Sequence, residues 1–336
     1  MADVIVVGAG PAGAAAARRL AGHGLSVTLA ERKKLPRNKS CSGVLIGKSI
    51  RLVRRIFGED VPPFALCTPT DNRGMVFYSR SGKLYRFEQP GLNVWRSAFD
   101  GWLAEKAAEA GAEICDGAAA INCTQTENSV TLELRRDGKP VQLTARYLID
   151  CEGVTGGLKH KITHQPGDFI TTFQTFNRGE TSLDPHYFYA FLQPDLSQYD
   201  AWFNVKDGLL VLGTAVREPA AAPLFHRRFV QYMEESHGLR LNETLRAERW
   251  LMPRILPGCP VDWGQGRVLF AGEAAGFLNP MGEGISSALE SGAAAADAVL
   301  EHFERPELAI AAYSHTAAPL KYYMERQWRF TENIAK

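Results

Sequence analysis

The fold of this chain is decided by the stretch Val4-Ile5-Val6-Val7-Gly8-Ala9-Gly10-Pro11-Ala12-Gly13. Its four consecutive apolar residues are typical of a parallel strand that is buried on both faces. An alanine-rich helix is predicted over 12–23 and a second strand over 25–30. The order strand, helix, strand indicates a βαβ unit and therefore an α/β fold.

The glycines of residues 8–13 have the spacing of a dinucleotide-binding turn. Gly8 permits the tight turn, Gly10 lets the backbone approach a pyrophosphate, and Gly13 lets helix and strand pack closely. Glu31 ends the second strand, eighteen residues after Gly13, where its carboxylate can accept hydrogen bonds from an adenosine ribose. A glycine-rich turn that serves packing alone is the alternative. The acid in register with the glycines favours a dinucleotide site, without distinguishing NAD from FAD.

A second glycine-rich stretch lies near the far end of the sequence. A strand predicted over 268–271 runs into Gly272 and Glu273, and Gly282 and Gly284 precede a helix predicted over 284–304. A flavin needs a carboxylate near its ribityl hydroxyls and a helix N-terminus where reduction places negative charge. A generic loop entering a helix is the alternative. Paired with the first motif, this stretch favours FAD as the cofactor.

The middle of the chain differs from both ends in composition. Aromatic residues crowd the stretch 166–216, and Asp207-Gly208 separates strand-like runs at 199–206 and 209–216, as in a hairpin with a primed turn. Further hairpins are predicted around Ser81-Gly82 and Asp137-Gly138. The sequence therefore predicts a Rossmann-type FAD-binding domain with an inserted antiparallel β-sheet substrate domain. The predicted FAD-binding domain spans 1–74, 88–165 and 245–305, the sheet domain spans 75–87 and 166–244, and a helical segment spans 306–336.

The motifs in this order resemble those of the geranylgeranyl reductase family of FAD-dependent oxidoreductases, which are built on the para-hydroxybenzoate hydroxylase fold. The matching segments are residues 4–13 with Glu31, the cysteine loop Lys39-Ser40-Cys41-Ser42-Gly43, Arg96 with Phe99, Asp100 and Leu103, the segment 150–153, Tyr199 with Trp202 and Phe203, and residues 282–285 with Ala288, Leu289, Ser291 and Gly292. The departures are Glu273 in place of the usual aspartate, Val205 in place of a proline, and Glu152, Gly156 and Gly157 in the segment that follows residue 150.

The resemblance implies hydride transfer from reduced FAD to a carbon–carbon double bond of an apolar substrate, such as a prenyl chain. NADPH, NADH or a small electron carrier would reduce the flavin first. The predicted cofactor-binding residues are Gly8, Gly10, Pro11, Ala12, Gly13, Glu31, Arg32, Arg96, Ala120, Gly272, Glu273, Gly282, Gly284 and Ile285. The predicted substrate-binding residues are Tyr199, Trp202, Phe203 and Pro280, and the candidate catalytic residue is Cys41.

Several of these residues also have plainer interpretations. Cys41 can donate a proton near the flavin or simply fill a turn. Tyr199 and Trp202 can wall an apolar cavity or belong to the sheet core, and Arg96 can bind the cofactor or cap a helix. A flavin monooxygenase or halogenase acting on an aromatic compound, and a non-catalytic FAD-binding or electron-transfer partner, are the alternative functions.

Composition narrows the class of protein. The formal net charge of +1 gives no reason to expect a nucleic-acid partner. The six cysteines form no CxxC pair and no metal-ligand spacing, so we expect no bound metal and a reducing, cytoplasmic location. No secretory signal and no membrane-spanning run is expected. The basic clusters at 32–39 and 51–55 are solvated faces, or attract phosphates or a membrane surface peripherally. No oligomeric state is predicted.

Overall fold

Two eight-stranded sheets carry the fold. The computed structural model describes residues 1–280 and 282–335, so Lys336 of the predicted helical segment lies outside the described residues. The strands in chain order are β1 (Ala2–Val7), β2 (Val27–Glu31), β3 (Val44–Ile46), β4 (Leu66–Tyr78), β5 (Leu84–Val94), β6 (Glu113–Asp116), β7 (Ala118–Gln125), β8 (Val130–Arg136), β9 (Lys139–Asp150), β10 (Phe169–Glu180), β11 (Tyr187–Phe191), β12 (Ala201–Lys206), β13 (Leu209–Val216), β14 (Arg240–Pro253), β15 (Gly264–Gln265) and β16 (Val268–Phe270). The helices are α1 (Pro11–Ala21), α2 (Gly47–Phe57), α3 (Arg96–Glu109), α4 (Gly157–Thr163), α5 (Ala222–His237), α6 (Ile285–Glu301) and α7 (Pro306–Ala335).

The first sheet has the order β15-β16-β9-β1-β2-β6, and β8 and β7 extend it beside the first half of β9. The strand β1 lies parallel to both β2 and β9, and its apolar run Val4–Val7 is buried. Helix α1 begins at Pro11 and packs on α6, where a Cβ on Gly292 would lie 2.1 Å from the carbonyl oxygen of Ala12. The predicted βαβ unit is therefore confirmed, and Gly292 is the residue that allows the two helices to approach so closely.

The second sheet has the order β14-β10-β13-β12-β11-β4-β5-β3. Its pairs are antiparallel except β4 with β11, which run parallel. The predicted hairpin turn is present, because Asp207 and Gly208 have φ values of 50° and 74°, as a primed turn requires. The strands of this sheet extend beyond the predicted sheet domain of residues 75–87 and 166–244, because β3, most of β4 and the end of β14 lie outside those two ranges. Pro69 and Gly74 interrupt the apolar pattern of β4 and hide the strand in the sequence.

Helix α7 joins the two parts of the structure. Tyr313, Leu320 and Met324 on this helix are buried in the core that covers the first sheet. Near the end of the same helix the ring of Phe330 meets Phe87 of β5 edge-on, with centroids 5.6 Å apart. None of the described helices combines the length and the hydropathy needed to span a membrane.

Candidate functional site

A cavity of about 870 Å³ lies between the first sheet and one face of the second. Its lining combines the turn after β1, the end of β2 and the start of α6 with side chains from the second sheet. The structure therefore brings most of the sequence-predicted site residues together. Those that line the cavity are Gly8, Gly10, Pro11, Ala12, Glu31, Arg32, Cys41, Arg96, Tyr199, Trp202, Gly272, Glu273, Pro280, Gly282, Gly284 and Ile285.

Three predicted residues have other surroundings. Gly13 lies inside the turn, where a Cβ would come within 1.8 Å of the Gly8 carbonyl oxygen. Ala120 is on β7 and packs against the core of the first sheet. Phe203 is fully buried beside Tyr189, in the core under α5. Successive side chains of a strand point to opposite faces, so Trp202 and Phe203 cannot both face the cavity.

The turn after β1 has the shape that a pyrophosphate requires. Gly8 has φ +98°, and a Cβ there would lie 2.3 Å from the carbonyl oxygen of Cys151, so only glycine fits. Gly10 is different, because its nearest neighbour would be the guanidinium of Arg37 at 3.6 Å. The space over Gly10 is open to the cavity, directly before the N-terminus of α1. A bound anion could therefore reach the free N–H groups of that helix.

Glu31 is held firmly at the end of β2. Its Oε2 accepts the Ala9 N–H at 3.0 Å, its Oε1 accepts the Lys33 N–H at 3.0 Å, and the Nε of Arg37 lies 3.2 Å from Oε2. The residue is 4% exposed. A carboxylate offers about four acceptor positions, so it keeps capacity for the hydroxyl groups of a ribose.

A buried chain of charges runs from Glu31 to the cysteine loop. Arg37 bridges Glu31 and Asp100, and its Nη1 lies 2.9 Å from Oδ2 of Asp100. Asp100 in turn accepts two hydrogen bonds from Arg96, and the positive charge of Arg96 lies near enough to Cys41 to lower the pKa of its thiol. The adenosine end of the site is therefore connected to Cys41 through three charged side chains.

Cys41 is a half-buried thiol on the wall of the cavity. The N–H of Gly43 points to its Sγ at 3.4 Å. Burial raises the pKa of Cys41, but Arg96, the Gly43 N–H, Lys206 and Lys39 together outweigh burial and hold the pKa below its ordinary value. The thiol is therefore a stronger acid than a free cysteine and can release a proton more easily.

Glu273 faces the cavity at the other glycine-rich stretch. Its Oε2 lies 3.0 Å from the Nζ of Lys39. Burial raises the pKa of Glu273, but Lys39 and further hydrogen bonds outweigh it, so the pKa is lowered and the side chain is charged. A Cβ on Gly284 would lie 3.7 Å from its Oε1, which places the carboxylate beside the start of α6. This carboxylate and helix N-terminus are the features that a flavin needs.

The second sheet supplies an apolar wall. The indole of Trp202 lies directly over Gly213 on the neighbouring strand, where a Cβ would come within 2.0 Å of the ring. Trp202 packs in a cluster with Ile170 and Ala215. Phe188, Met252 and Tyr199 are partly buried against that cluster. All of these residues line the cavity, apart from Ala215. One side of the cavity is therefore polar and the other is apolar.

Among the described residues, several charged side chains near the cavity are not in the predicted site. Arg37 and Lys39 belong to the basic cluster 32–39, and both line the cavity instead of forming a solvated face. Asp200 also lines the cavity, and burial raises its pKa to about 6. Lys206 is buried behind the cysteine loop. The alternation of side chains along β12 could have identified Lys206, because residues 202, 204 and 206 lie on the same face of the strand.

Comparison with known proteins identifies the class that this fold and site define. A family model described as an FAD binding domain matches residues 1–327, and the chain belongs to that family. It is an FAD-dependent oxidoreductase of this family, and the turn at 8–13, Glu31 and Glu273 fit FAD. The predicted fold class and the prediction of FAD as the cofactor are thus confirmed.

Individual relatives are more distant. The chain is 25% identical over 329 residues to Protein CbrA of Escherichia coli O157:H7, covering 95% of this chain and 89% of the relative. It is 24% identical over 330 residues to a digeranylgeranylglycerophospholipid reductase of Thermoplasma acidophilum, covering 90% and 78%. The resemblance to geranylgeranyl reductases is therefore confirmed at the level of distant similarity.

Solved structures share the fold. A geranylgeranyl bacteriochlorophyll reductase-like protein from Thermoplasma acidophilum superimposes with a TM-score of 0.83 at 20% identity, covering 99% of this chain and 87% of that one. The flavin-dependent halogenase CmlS superimposes with a TM-score of 0.75 at 16% identity, covering 97% and 63%. Reductase-like proteins and halogenases therefore share this architecture, and the reaction has to be argued from the site.

Proposed function

We propose that this protein reduces a carbon–carbon double bond of an apolar substrate, with a prenyl chain as the leading candidate. The observation that carries this proposal is the two-sided cavity. Its polar side has the features of an FAD site, and its apolar side is formed by Trp202, Ile170 and Phe188. An apolar chain would bury hydrophobic surface against that wall, which is the main source of affinity for such a ligand.

The protein itself would supply a proton and a cavity that excludes water from the reaction. When bound, reduced FAD supplies a hydride to one carbon of the double bond. Cys41 lies on the cavity wall with a lowered pKa, so its S–H can supply the proton to the other carbon. Arg96 would stabilise the thiolate that remains, because its positive charge lowers the pKa of that thiol. Water then restores the thiol.

The reductant and the surroundings complete the proposal. NADPH, NADH or a small electron carrier would reduce the flavin. The substrate would reach the cavity from solution or from a membrane surface that the protein contacts peripherally. The partner is an apolar small molecule, with no part for nucleic acid, and the setting is the cytoplasm.

Single-turnover reoxidation tests the reaction class. The purified holoprotein is reduced with dithionite under anaerobic conditions and mixed with geranylgeraniol, and the flavin absorbance is followed while products are analysed by mass spectrometry. We expect the flavin to reoxidise and the product to gain two hydrogen atoms. Parallel samples receive air alone, or air with a halide and an aromatic acceptor. Reoxidation by air only, with oxygen or halogen in the acceptor, would show a monooxygenase or halogenase instead.

A further inference from the structure

Lys206 is a lysine in the interior of the protein, 1% exposed at the end of β12. Its Nζ lies 4.2 Å from the centre of the Trp95 ring. Burial lowers the pKa of Lys206. In the described part of the chain, the thiols of Cys67 and Cys41 act to raise this pKa, while Arg96 and Arg246 lower it further. A buried ammonium is costly unless an anionic group compensates it. A charged Lys206 would therefore be stabilised by an anionic group close to its ammonium.

The loop with Cys41 lies directly on this lysine. The Nδ2 of Asn204, on the same face of β12, donates to the Ser42 carbonyl oxygen at 3.4 Å. The carbonyl of Gly43 accepts the Val94 N–H at 2.8 Å, which ties the loop to β5. A Cβ on Gly43 would lie 2.7 Å from the Nζ of Lys206. The missing side chain at Gly43 is therefore what lets the ammonium approach the loop from behind.

The two neighbouring thiols differ in their acidity. Burial raises the pKa of Cys67 to about 11, despite Lys206. For Cys41, burial also raises the pKa, but Arg96 from α3, the Gly43 N–H, Lys206 from β12 and Lys39 from its own loop reverse that effect. Cys41 is therefore the thiol that can provide the anion.

We propose that Lys206 is a positioning residue for Cys41: its ammonium lies behind residues 41–43 and stabilises the thiolate without contacting substrate. Lys206 acts from outside the cavity, with Gly43 between it and the sulfur. If the proposed reductase function holds, on which this consequence rests, the S–H bond of Cys41 breaks as the substrate C–H bond forms. The negative charge on sulfur is then shared between Arg96 and Lys206 until water returns a proton.

The pH dependence of alkylation at Cys41 tests this inference. Holoprotein is treated with iodoacetamide between pH 5 and 10, and the rate at the Cys41 peptide is measured by mass spectrometry, because only the thiolate reacts. Lys206→Met removes the charge and keeps the length of the side chain. We expect the midpoint of the alkylation profile to rise by about one pH unit, and the rate at neutral pH to fall about tenfold. Lys206→Gln serves as a second neutral variant should the methionine protein be unstable.

The matched control is Lys83→Met, because Lys83 also lies over an aromatic ring, 5.0 Å from the centre of Tyr85, but is exposed. This variant should keep the wild-type midpoint. A midpoint in the Lys206 variants that stays with that of Lys83→Met overturns the inference. The assay contains no alkene, so a failure of the reductase proposal and a failure of this inference give different results.

Discussion

Arg96 and Asp100 form a two-pronged ion pair inside the protein, with Nε 2.7 Å from Oδ1 and Nη2 2.8 Å from Oδ2. Both side chains are buried, because Arg96 is 5% exposed and Asp100 is 0% exposed. Burial raises the pKa of Asp100, but Arg96 and Arg37 outweigh it and lower the pKa. Such a pair holds the guanidinium in one orientation, and its positive charge lowers the pKa of the nearby Cys41 thiol.

Asp100→Asn should be strongly destabilising. The amide keeps the shape of the carboxylate but leaves the buried guanidinium of Arg96 without a counter-charge and Arg37 with Glu31 alone, which costs about 3–5 kcal/mol of unfolding free energy. Urea denaturation with excess FAD measures this loss. The control is Asp60→Asn, whose partner Arg54 is 66% exposed, as is Asp60 itself, so that loss should stay below about 1 kcal/mol. Equal losses in the two variants would contradict the buried network.

Gly10→Leu should give a folded protein that does not bind FAD. A side chain at this position projects into the cavity over the turn, where the pyrophosphate has to approach the backbone. Gly10→Ala separates binding from folding, since its Cβ meets only Arg37 at 3.6 Å. FAD content and thermal unfolding are measured for both variants. Full FAD content in Gly10→Leu would show that the cofactor lies elsewhere.

Glu31→Gln should weaken FAD binding, and it should also lower stability, because Glu31 pairs with Arg37 and both of its oxygens accept backbone N–H groups. The amide retains an acceptor but loses the charge that strengthens hydrogen bonds to ribose hydroxyls, an effect of about 1–2 kcal/mol, or roughly 5–30-fold in Kd. Fluorescence titration of the FAD-free protein gives the dissociation constants. Glu113→Gln, an exposed change on the neighbouring strand β6, is the control. An unchanged Kd in Glu31→Gln would remove this residue from the adenosine site.

Gly213→Ala should force the indole of Trp202 out of its place. The new methyl group would lie 2.0 Å from the ring, and such overpacking costs about 1–3 kcal/mol. If the ring is the obstacle, Gly213→Ala should cost much less in a protein that already carries Trp202→Ala. A double-mutant cycle by urea denaturation should therefore show a coupling of about 1 kcal/mol or more. Simple additivity would mean that the two residues do not contact each other.

Asp200 should make stability depend on pH. Burial raises its pKa to about 6 in the folded protein, against about 3.9 in an unfolded chain. Between these values the folded state holds a proton that the unfolded state has lost, so the free energy of unfolding decreases as pH rises from about 4 to about 6. Asp200→Asn should lack this decrease, as followed by denaturation from pH 4 to 7. The exposed variant Asp195→Asn should parallel the wild type, and a parallel curve for Asp200→Asn would refute the assignment.

Most of the residues that local sequence patterns predict for cofactor binding lie together on one side of the cavity. The turn at 8–13 and the acid at Glu31 belong to one short βαβ unit, in which spacing alone fixes which atoms face the ligand. The primed turn at Asp207-Gly208 was equally readable, because two adjacent residues with positive φ favour this dipeptide.

Local sequence patterns do not predict contacts between segments that are far apart in the chain. Arg37 and Asp100 are separated by 63 positions in the chain, so nothing local distinguishes Arg37 from the surface lysines beside it. Phe203 and Trp202 share one predicted substrate motif, but alternation along β12 puts the two rings on opposite faces, and Phe203 is buried in the core with Tyr189. The same alternation, applied more strictly, would have drawn attention to Lys206.

The cavity is lined by residues as far apart as Gly8 and Glu332, which nearly span the chain. During synthesis the N-terminal βαβ unit emerges first, long before α6 and α7 can close the site around it. A cofactor that contacts both ends of this lining can make all of its contacts only in the complete protein, and it then stabilises the native state. Cofactor supply would then govern how long the completed chain survives in the cell, rather than how fast it folds.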